Sequence, residues 1–465
     1  MSRPKSVSTV RTPAFLDAHV HVTATGLSLT GLDLAGTRSL AEALAAVERH
    51  ARAGRGRVVL GGGWDDSRWP EQRPPTRQEL DRAAYGGAVY LARVDVHSAV
   101  VSSALLAAVP EAAGLSGYDA GGLQRLEAHH AVRAMAHRSI TPAQRAVAQR
   151  ATRSRAASLG IGCLTEMSGP EVAGRADLEA LIALSAAEPG PDLLAYWGEL
   201  NAIDIVAELG LAGAGGDLFC DGSIGSHTAA LSAPYADAHT RGALRFDDDE
   251  VTEHVRRATA AGVQAGFHVI GDAAIDQVVR AVDVVADEQG HHAVISCRHR
   301  LEHVEMPTPE HLGAMARLGM VASVQPAFDA HWGGQDGLYA RRLGDRAEGI
   351  NPLSDFHAAG IVLAFGSDAP VTPLNPWGGV AAGIAHKTPG AGLPRSVARA
   401  AAMTAGWHLA RRELPNETYA VWAAADHREL DERALAGEPA QCLRTVVHGQ
   451  VVHDVAPDVT TTPES

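Results

Sequence analysis

The sequence predicts an α/β chain folded as a (β/α)8 TIM barrel, with an insertion after the first strand and a small, reduced β-sandwich appendage formed by the termini. Three observations carry that prediction. Short β-branched or apolar runs, each closed by a polar or glycine-containing corner, alternate with Ala/Arg/Glu-rich segments of helical period such as Ser39 to Ala53 and Ala143 to Leu159. This alternation is the pattern of parallel βα units. The runs are spaced widely enough for a helix in most gaps, which suits a barrel better than an open doubly wound sheet. After about Ala410 the pattern changes to strands separated only by turns.

The strand candidates, in order, are Phe15 to His19, Val58 to Leu60, Ala88 to Leu91, Ile161 to Thr165, Leu193 to Trp197, Asp217 to Cys220, Val263 to His268, His299 to His303, Met320 to Gln325 and Ile361 to Gly366. That is two more than a barrel uses. The Val58 and Ala88 runs fall in the long interval before Ile161, where Gly61-Gly62-Gly63 and Trp69-Pro70 to Pro74-Pro75 break the pattern. Assigning about 55–130 to an insertion leaves a barrel domain over 13–410. Thr418 to Ala423 and Cys442 to His453 read as strands, with Gly449 at a hairpin corner. They are expected to join residues 1–12 in an appendage over 411–455, followed by a flexible tail, 456–465.

Composition excludes several classes. With 465 residues, 46% of them hydrophobic, the chain can bury a large core. Lys+Arg 40 against Asp+Glu 54 gives a net charge of −14, and no basic patch stands out, so nucleic acid is not an expected partner. No run approaches the roughly eighteen apolar residues of a membrane span, and no apolar stretch follows the first basic residues. A cytoplasmic protein without a membrane partner is expected. The 4 cysteines, Cys163, Cys220, Cys297 and Cys442, form no CxxC pair and read as reduced core residues.

In a barrel, polar residues at the carboxyl ends of strands face the site built there. The first strand ends Asp17-Ala18-His19-Val20-His21, and a period of two puts both imidazoles on one face, close enough to share a metal ion. Alone the pair is weak, in a chain with 23 histidines. Other strand ends reinforce it: His268 in Gly266 to Asp272, His303 in Arg300-Leu301-Glu302-His303, and Asp368 in Gly366-Ser367-Asp368-Ala369-Pro370. Imidazole plus carboxylate suits a divalent transition metal, with zinc foremost and iron, manganese, nickel or cobalt also compatible. Asp368 has a bland reading too, as the cap of a helix beginning at Ala369.

These residues resemble the amidohydrolase superfamily, and more closely its YtcJ-like branch with the N-substituted formamide deformylases. The resemblance rests on Pro13 to His21, Gly62-Gly63-Trp64-Asp65, Asp221-Gly222-Ser223-Ile224-Gly225-Ser226 with Thr228 to Leu231, Phe267 to Ile275, Arg300 to His303, and Gly366 to Val371. It implies a metal hydrolase of one or two ions. In it His19 and His21 hold one ion, His268 and His303 hold the other or complete a single site, and Asp368 touches metal and water. A divalent cation brings the pKa of a bound water from ~16 to ~7 and polarises the scissile carbonyl. Asp368 would take the proton of that water and return it to the leaving nitrogen.

Two departures from the family matter. Where relatives carry a carboxylated lysine that bridges two metals, this chain has Asp217, in Gly216-Asp217-Leu218-Phe219-Cys220. The shorter side chain would require the metal pair to shift towards the fourth strand. Asp217 as a ligand, a single-metal site without it, and an oxygen from Glu166 all stay open. Relatives also place several strands before the Asp-x-His-x-His motif, whereas about a dozen residues precede it here, so a reduced sandwich is expected.

Substrate contacts are expected from Trp64 and His97 in the insertion, and from Asp221, which would either orient a ligand histidine or cap the turn before Gly222. For Trp64 a packed aromatic beneath the loop is the competing reading. His227, Arg298 and Arg346 are further candidates for holding a carboxylate or carbonyl, while His129, His130 and His137 read as solvent-facing. No G-x-S-x-G, phosphate-loop, G-x-G-x-x-G or H-E-x-x-H motif offers another chemistry. The expected function is metal-dependent hydrolysis of a non-peptide C–N bond in a small amide, formamide or cyclic amide. The alternatives are an ester, lactone or phosphoester hydrolase, or a catalytically silent small-molecule binder. The oligomeric state is left open, a homodimer being one option.

Overall fold

The computed structural model describes residues 8–54, 56–66, 69–93 and 98–455. The chain divides into two compact units, one reaching Val22 and resuming at Arg153, the other formed by Thr23–Thr152. The 55–130 stretch lies inside the Thr23–Thr152 unit.

The first unit is α/β. One parallel sheet has the order Gly213–Ala214, Asp192–Trp197, Ile161–Ser168, Phe15–Val20, and a second has Gly266–Val269, Arg300–His303, Val321–Val324, Leu363–Phe365. Parallel bridges Val20 to Ala369 and Ala214 to Ala265 join the edges of the two sheets. Both faces of the strands are covered, which is why they read as near-continuous apolar runs. The covering helices bury one stripe each. In Asp272–Gln289 the stripe is Ile275, Val278, Val279, Val282, Val285 and Ala286, at the three- and four-residue spacing of a helix face.

The fourth strand departs from expectation. Strand pairing falls on Gly213–Ala214 rather than Asp217 to Cys220, because Gly215 and Gly216 turn the chain at φ of 124° and 80°. The expected segment still runs beside its neighbour: the His268 amide donates to Leu218 O, and the Cys220 amide donates to His268 O. All four cysteines are free and buried.

The termini meet in one antiparallel sheet, ordered Thr9–Pro13, Tyr419–Ala423, Cys442–Val447, Gln450–Asp454. His448 and Gly449 turn the hairpin at φ of 49° and 78°, the twist that suits a two-residue connection. Among the described residues this is a single sheet, where a two-sheet sandwich was expected. Its inner face is covered instead by the rest of the unit, Trp422 packing edge-on against Phe15 and Trp377 at 5.9 and 5.5 Å.

The second unit has a five-stranded sheet, Leu32–Asp33, Val59–Trp64, Val89–Arg93, Ser98–Val101 and Leu123–Arg125 in that order, parallel over the first three and antiparallel after. Gly61 to Gly63, read as turn residues, lie within a strand. A Cβ on Gly61 would meet Leu32 O at 2.5 Å, so glycine permits the close strand approach there. Among the described residues no helix is long and apolar enough to cross a membrane.

Candidate metal centre

The carboxyl ends of five parallel strands bring the predicted side chains together. His19 and His21 project from the end of Phe15–Val20, His268 from Gly266–Val269, and His303 from Arg300–His303. Asp217 follows the Gly215–Gly216 turn, and Asp368 follows Leu363–Phe365. His303 and Asp368 adopt φ of 69° and 52°, in the left-handed region that non-glycine residues seldom occupy. No helix begins at Ala369. The next one, Pro376–Ile384, is capped by Asn375, so the bland reading of Asp368 as an N-cap is excluded.

The carboxylates of Asp217 and Asp368 lie between the imidazoles. Asp217 Oδ2 is 3.5 Å from His19 Nε2 and 3.2 Å from His21 Nε2, and its Oδ1 is 3.6 Å from His268 Nδ1 and 3.7 Å from His303 Nε2. Asp368 Oδ1 is 3.5 Å from His19 Nε2 and 3.2 Å from His21 Nε2. Two ligand sets with mutually close donor atoms result, His19 with His21 and Asp368, and His19 with Asp217 and His303.

The outward nitrogens fix the tautomers. His19 Nδ1–H donates to Glu302 Oε2 at 3.0 Å, His21 Nδ1–H to Met167 O at 3.1 Å, His268 Nε2–H to Gly222 O at 3.2 Å, and His303 Nδ1–H to Gln325 Oε1 at 2.8 Å. Carbonyl and carboxylate oxygens only accept, so each ring turns its other nitrogen, a lone pair when the ring is neutral, towards the aspartates. This is the arrangement of metal-ligating histidines, whose second nitrogen is held by an acceptor. Three of the converging atoms, His19 Nε2, Asp217 Oδ1 and His268 Nδ1, are buried without a hydrogen-bond partner. Orphaned buried polar atoms call for an occupant, and a divalent cation fits this donor set.

The electrostatics agree. Burial alone would lower the His19 pKa, but the carboxylates of Asp217 and Asp368 outweigh it and raise it to about 10. Burial would likewise raise both aspartates, yet His19 and its neighbours hold them below the usual carboxylate value. The surroundings of His19 therefore favour positive charge between the carboxylates.

Supporting residues hold this geometry; the strand-end reading gave no role to Asp17, Arg300 or Glu302, whereas it named Glu166 and Asp221. Arg300 and Glu302, both fully buried, form an ion pair, and an Arg300 amino group also donates to Ala18 O at 2.9 Å. Asp17 Oδ1 accepts from the Ser367 and His19 amides at 2.9 and 3.3 Å, tying the first strand to the Asp368 loop. Glu166 Oε2 accepts from the Val22 amide at 2.6 Å, bracing the chain just past His21. Asp221 accepts from the amides of Ala230, Ile270 and Gly271 at 2.9, 3.0 and 2.8 Å and lies 3.8 Å from His268 Nε2, so it both fixes the loop and faces the His268 imidazole.

A cavity of ≈ 710 Å³ opens beside His268, lined by Phe219, Ser223, His227, Thr228 and Arg245 among others. Arg298 and Arg346 do not reach it: they donate to the carbonyls of His408, and of Ala233 and Pro234, respectively. Trp64 belongs to the second unit, 1% exposed, with its indole N–H donating to Leu91 O at 2.8 Å, the geometry of a packed core aromatic. His97 lies outside the described residues. His129 is buried against the Tyr90 hydroxyl at 2.8 Å rather than solvent-facing, whereas His130 and His137 are exposed.

A sequence model described as the amidohydrolase family matches residues 10–453. The Bacillus subtilis (strain 168) protein YtcJ, named as an amidohydrolase, is 25% identical over 488 residues, covering 95% of this chain and 88% of that one. N-substituted formamide deformylase of Arthrobacter pascens is 26% identical over 394 residues, 78% of this chain and 71% of that one. The crystal structure of an uncharacterized metal-dependent hydrolase from Pyrococcus furiosus superposes with a TM-score of 0.73 at 27% identity, covering 87% of this chain and 84% of that one.

Proposed function

The chain belongs to the amidohydrolase family, and from that premise we propose that it is a metal-dependent hydrolase of a non-peptide C–N bond in a small amide, formamide or cyclic amide. In this reading the eight parallel strands are a (β/α)8 barrel with the site at its carboxyl rim, the insertion is Thr23–Thr152 and the terminal sheet is the reduced appendage. The observation that carries the proposal is the set of four imidazoles, each anchored through one nitrogen and each turning the other towards Asp217 or Asp368.

His19, His21, His268, His303, Asp217 and Asp368 would hold the metal, with zinc as the first candidate. Bound there, a divalent ion would supply Lewis acidity towards a carbonyl and lower the pKa of water. The protein's own part follows from its side chains. Asp368, fixed through its amide to His19 O at 2.7 Å, accepts the proton of the attacking water and delivers it to the departing nitrogen, since an amine leaves poorly unless protonated. Glu302, Met167 O, Gly222 O and Gln325 keep the four rings in the ligating tautomer. Asp221 holds the wall of the cavity beside His268, and the substrate's non-reacting part occupies that cavity. Similarity to a formamide deformylase favours formamides as the first substrates to try.

Turnover of a panel of N-substituted formamides, cyclic amides and lactones of similar size, before and after chelation and metal return, tests the reading. Activity on C–N substrates that chelation abolishes and metal restores is expected. Activity confined to lactones would move the assignment to C–O bonds, and a protein that holds no metal would end it. His19→Ala is expected to lose tightly bound metal, measured by elemental analysis after gel filtration, because this residue contributes to both converging ligand sets.

A further inference from the structure

We infer that the substrate carries an anionic group, a carboxylate in the first instance, and that Arg245 is the residue that selects it. This deepens the metal-hydrolase reading and rests on it. The cavity beside His268 is lined by several polar side chains, but most of them are already engaged. Asp221 accepts three backbone amides. His227 Nε2 is paired with Asp237 at 2.8 Å, and the hydroxyls of Ser223, Thr228 and Thr240 bond within their own stretch of chain. Arg245 is the exception. Both of its side-chain hydrogen bonds leave from Nη2, to the two oxygens of Glu171 at 3.0 and 2.7 Å, while its Nε–H and Nη1–H groups have no acceptor among the described residues. A guanidinium offers five N–H donors in one plane and suits carboxylates above other partners, so most of its capacity stays open to a ligand.

The backbone sets where that cation stands. The Arg245 amide donates to Cys220 O at 2.8 Å, which ties the residue to the segment that follows Asp217. The guanidinium then lies 5.6 Å from the centre of the Phe219 ring, and that ring is 4.8 Å from the His268 ring. One aromatic side chain therefore touches both, and the cation is no more than about 10 Å from the His268 imidazole. A carboxylate on Arg245 with the scissile bond at the His268 end calls for a flat spacer of aryl length, which Phe219 can receive edge-on or offset. Glu171 does not pre-empt the site. An ion pair between side chains 43% and 62% exposed is worth little, so it steadies the guanidinium without closing it to a second carboxylate.

The test uses metal-loaded full-length protein and three N-aryl formamides that differ only para to the nitrogen: 4-formamidobenzoate, 4-formamidotoluene and 4-formamidobenzylamine. Kd is read by calorimetry, with KM and kcat wherever there is turnover. Wild type is expected to bind the benzoate about 5- to 10-fold more tightly than the toluene, the range of a charge-assisted pair that stays partly wet, and to show the difference in KM. Arg245→Gln is expected to erase that preference by weakening the benzoate selectively, and Arg245→Glu to prefer the benzylamine. Arg245 is 43% exposed, so neither substitution disturbs the core. Equal or absent binding of the benzoate by wild type overturns the inference, as does a preference for it that survives Arg245→Gln. Equal weakening of benzoate and toluene in Arg245→Gln would make the residue a strut of the cavity wall and overturns it too. Each of these outcomes leaves the hydrolase reading in place. Conversely, selective binding through Arg245 without turnover of any C–N or C–O substrate keeps the anion site and counts against the hydrolase reading alone.

Discussion

Asp368→Asn is expected to lower kcat by on the order of 10²- to 10⁴-fold, the range that a positioned proton-transfer group contributes, with most of the bound metal retained. The separation is possible because asparagine reproduces much of what Asp368 does structurally. It tolerates the left-handed backbone that this position adopts at φ 52°. It keeps the amide that donates to His19 O at 2.7 Å, and it keeps an oxygen directed at His21 Nε2. What it loses is a group that can hold a proton between the attack of water and the departure of the nitrogen. Steady-state turnover beside metal analysis on the same preparation checks the point. Turnover equal to wild type would remove Asp368 from the reaction, and loss of metal together with turnover would make it only a ligand.

Much of this site was legible because strand ends and metal ligation follow local rules. His19 and His21 share a face through the period of an extended chain, and His268 and Asp368 sit at the ends of apolar runs. The pairing of Arg300 with Glu302 was harder to see for a geometrical reason. Alternation places residues 300 and 302 on one face and His303 on the other, yet Glu302 and His303 both serve the centre. The conflict is resolved by the positive φ of His303 and Val304, 69° and 48°, which turns the His303 ring back towards the site. Nothing in the residue types announces that twist. A buried Arg-x-Glu at the end of a strand was the available signal, since two full charges on one buried face demand each other.

Glycine misled in both units. In Val59–Trp64 it permits close strand packing, although Gly-Gly-Gly ordinarily signals a turn. At Gly215–Gly216 it makes the turn that moves the fourth strand's pairing back to Gly213–Ala214. The strands of the second unit pair among themselves, including antiparallel neighbours, and so break the βα rhythm of the rest of the chain. His129 was misplaced because its helix buries it against Tyr90, a contact from a residue 39 positions away.

Glu302→Gln is expected to destabilise the protein by about 3–5 kcal/mol and to weaken metal binding 10- to 100-fold, by two separable routes. The first is electrostatic. Arg300 is fully buried and makes two hydrogen bonds to the Glu302 carboxylate, so a neutral amide leaves a guanidinium without its counter-charge. Burial would raise the Glu302 pKa, but Arg300 and then His19 hold it at about 2, which shows how strongly the surroundings favour the anion. The second route runs through His19. Its Nδ1–H donates to Glu302 Oε2 at 3.0 Å, and a carboxylate there makes the imidazole a better ligand than an amide does. The double variant Arg300→Met with Glu302→Leu separates the two. Apolar replacement of a whole buried ion pair is often neutral or stabilising, so unfolding midpoints in denaturant should recover most of the loss, whereas metal affinity should not, because His19 still lacks its acceptor. Recovery of both together would mean that Glu302 acts on the metal only by keeping the fold, and the tautomer argument for His19 would fall.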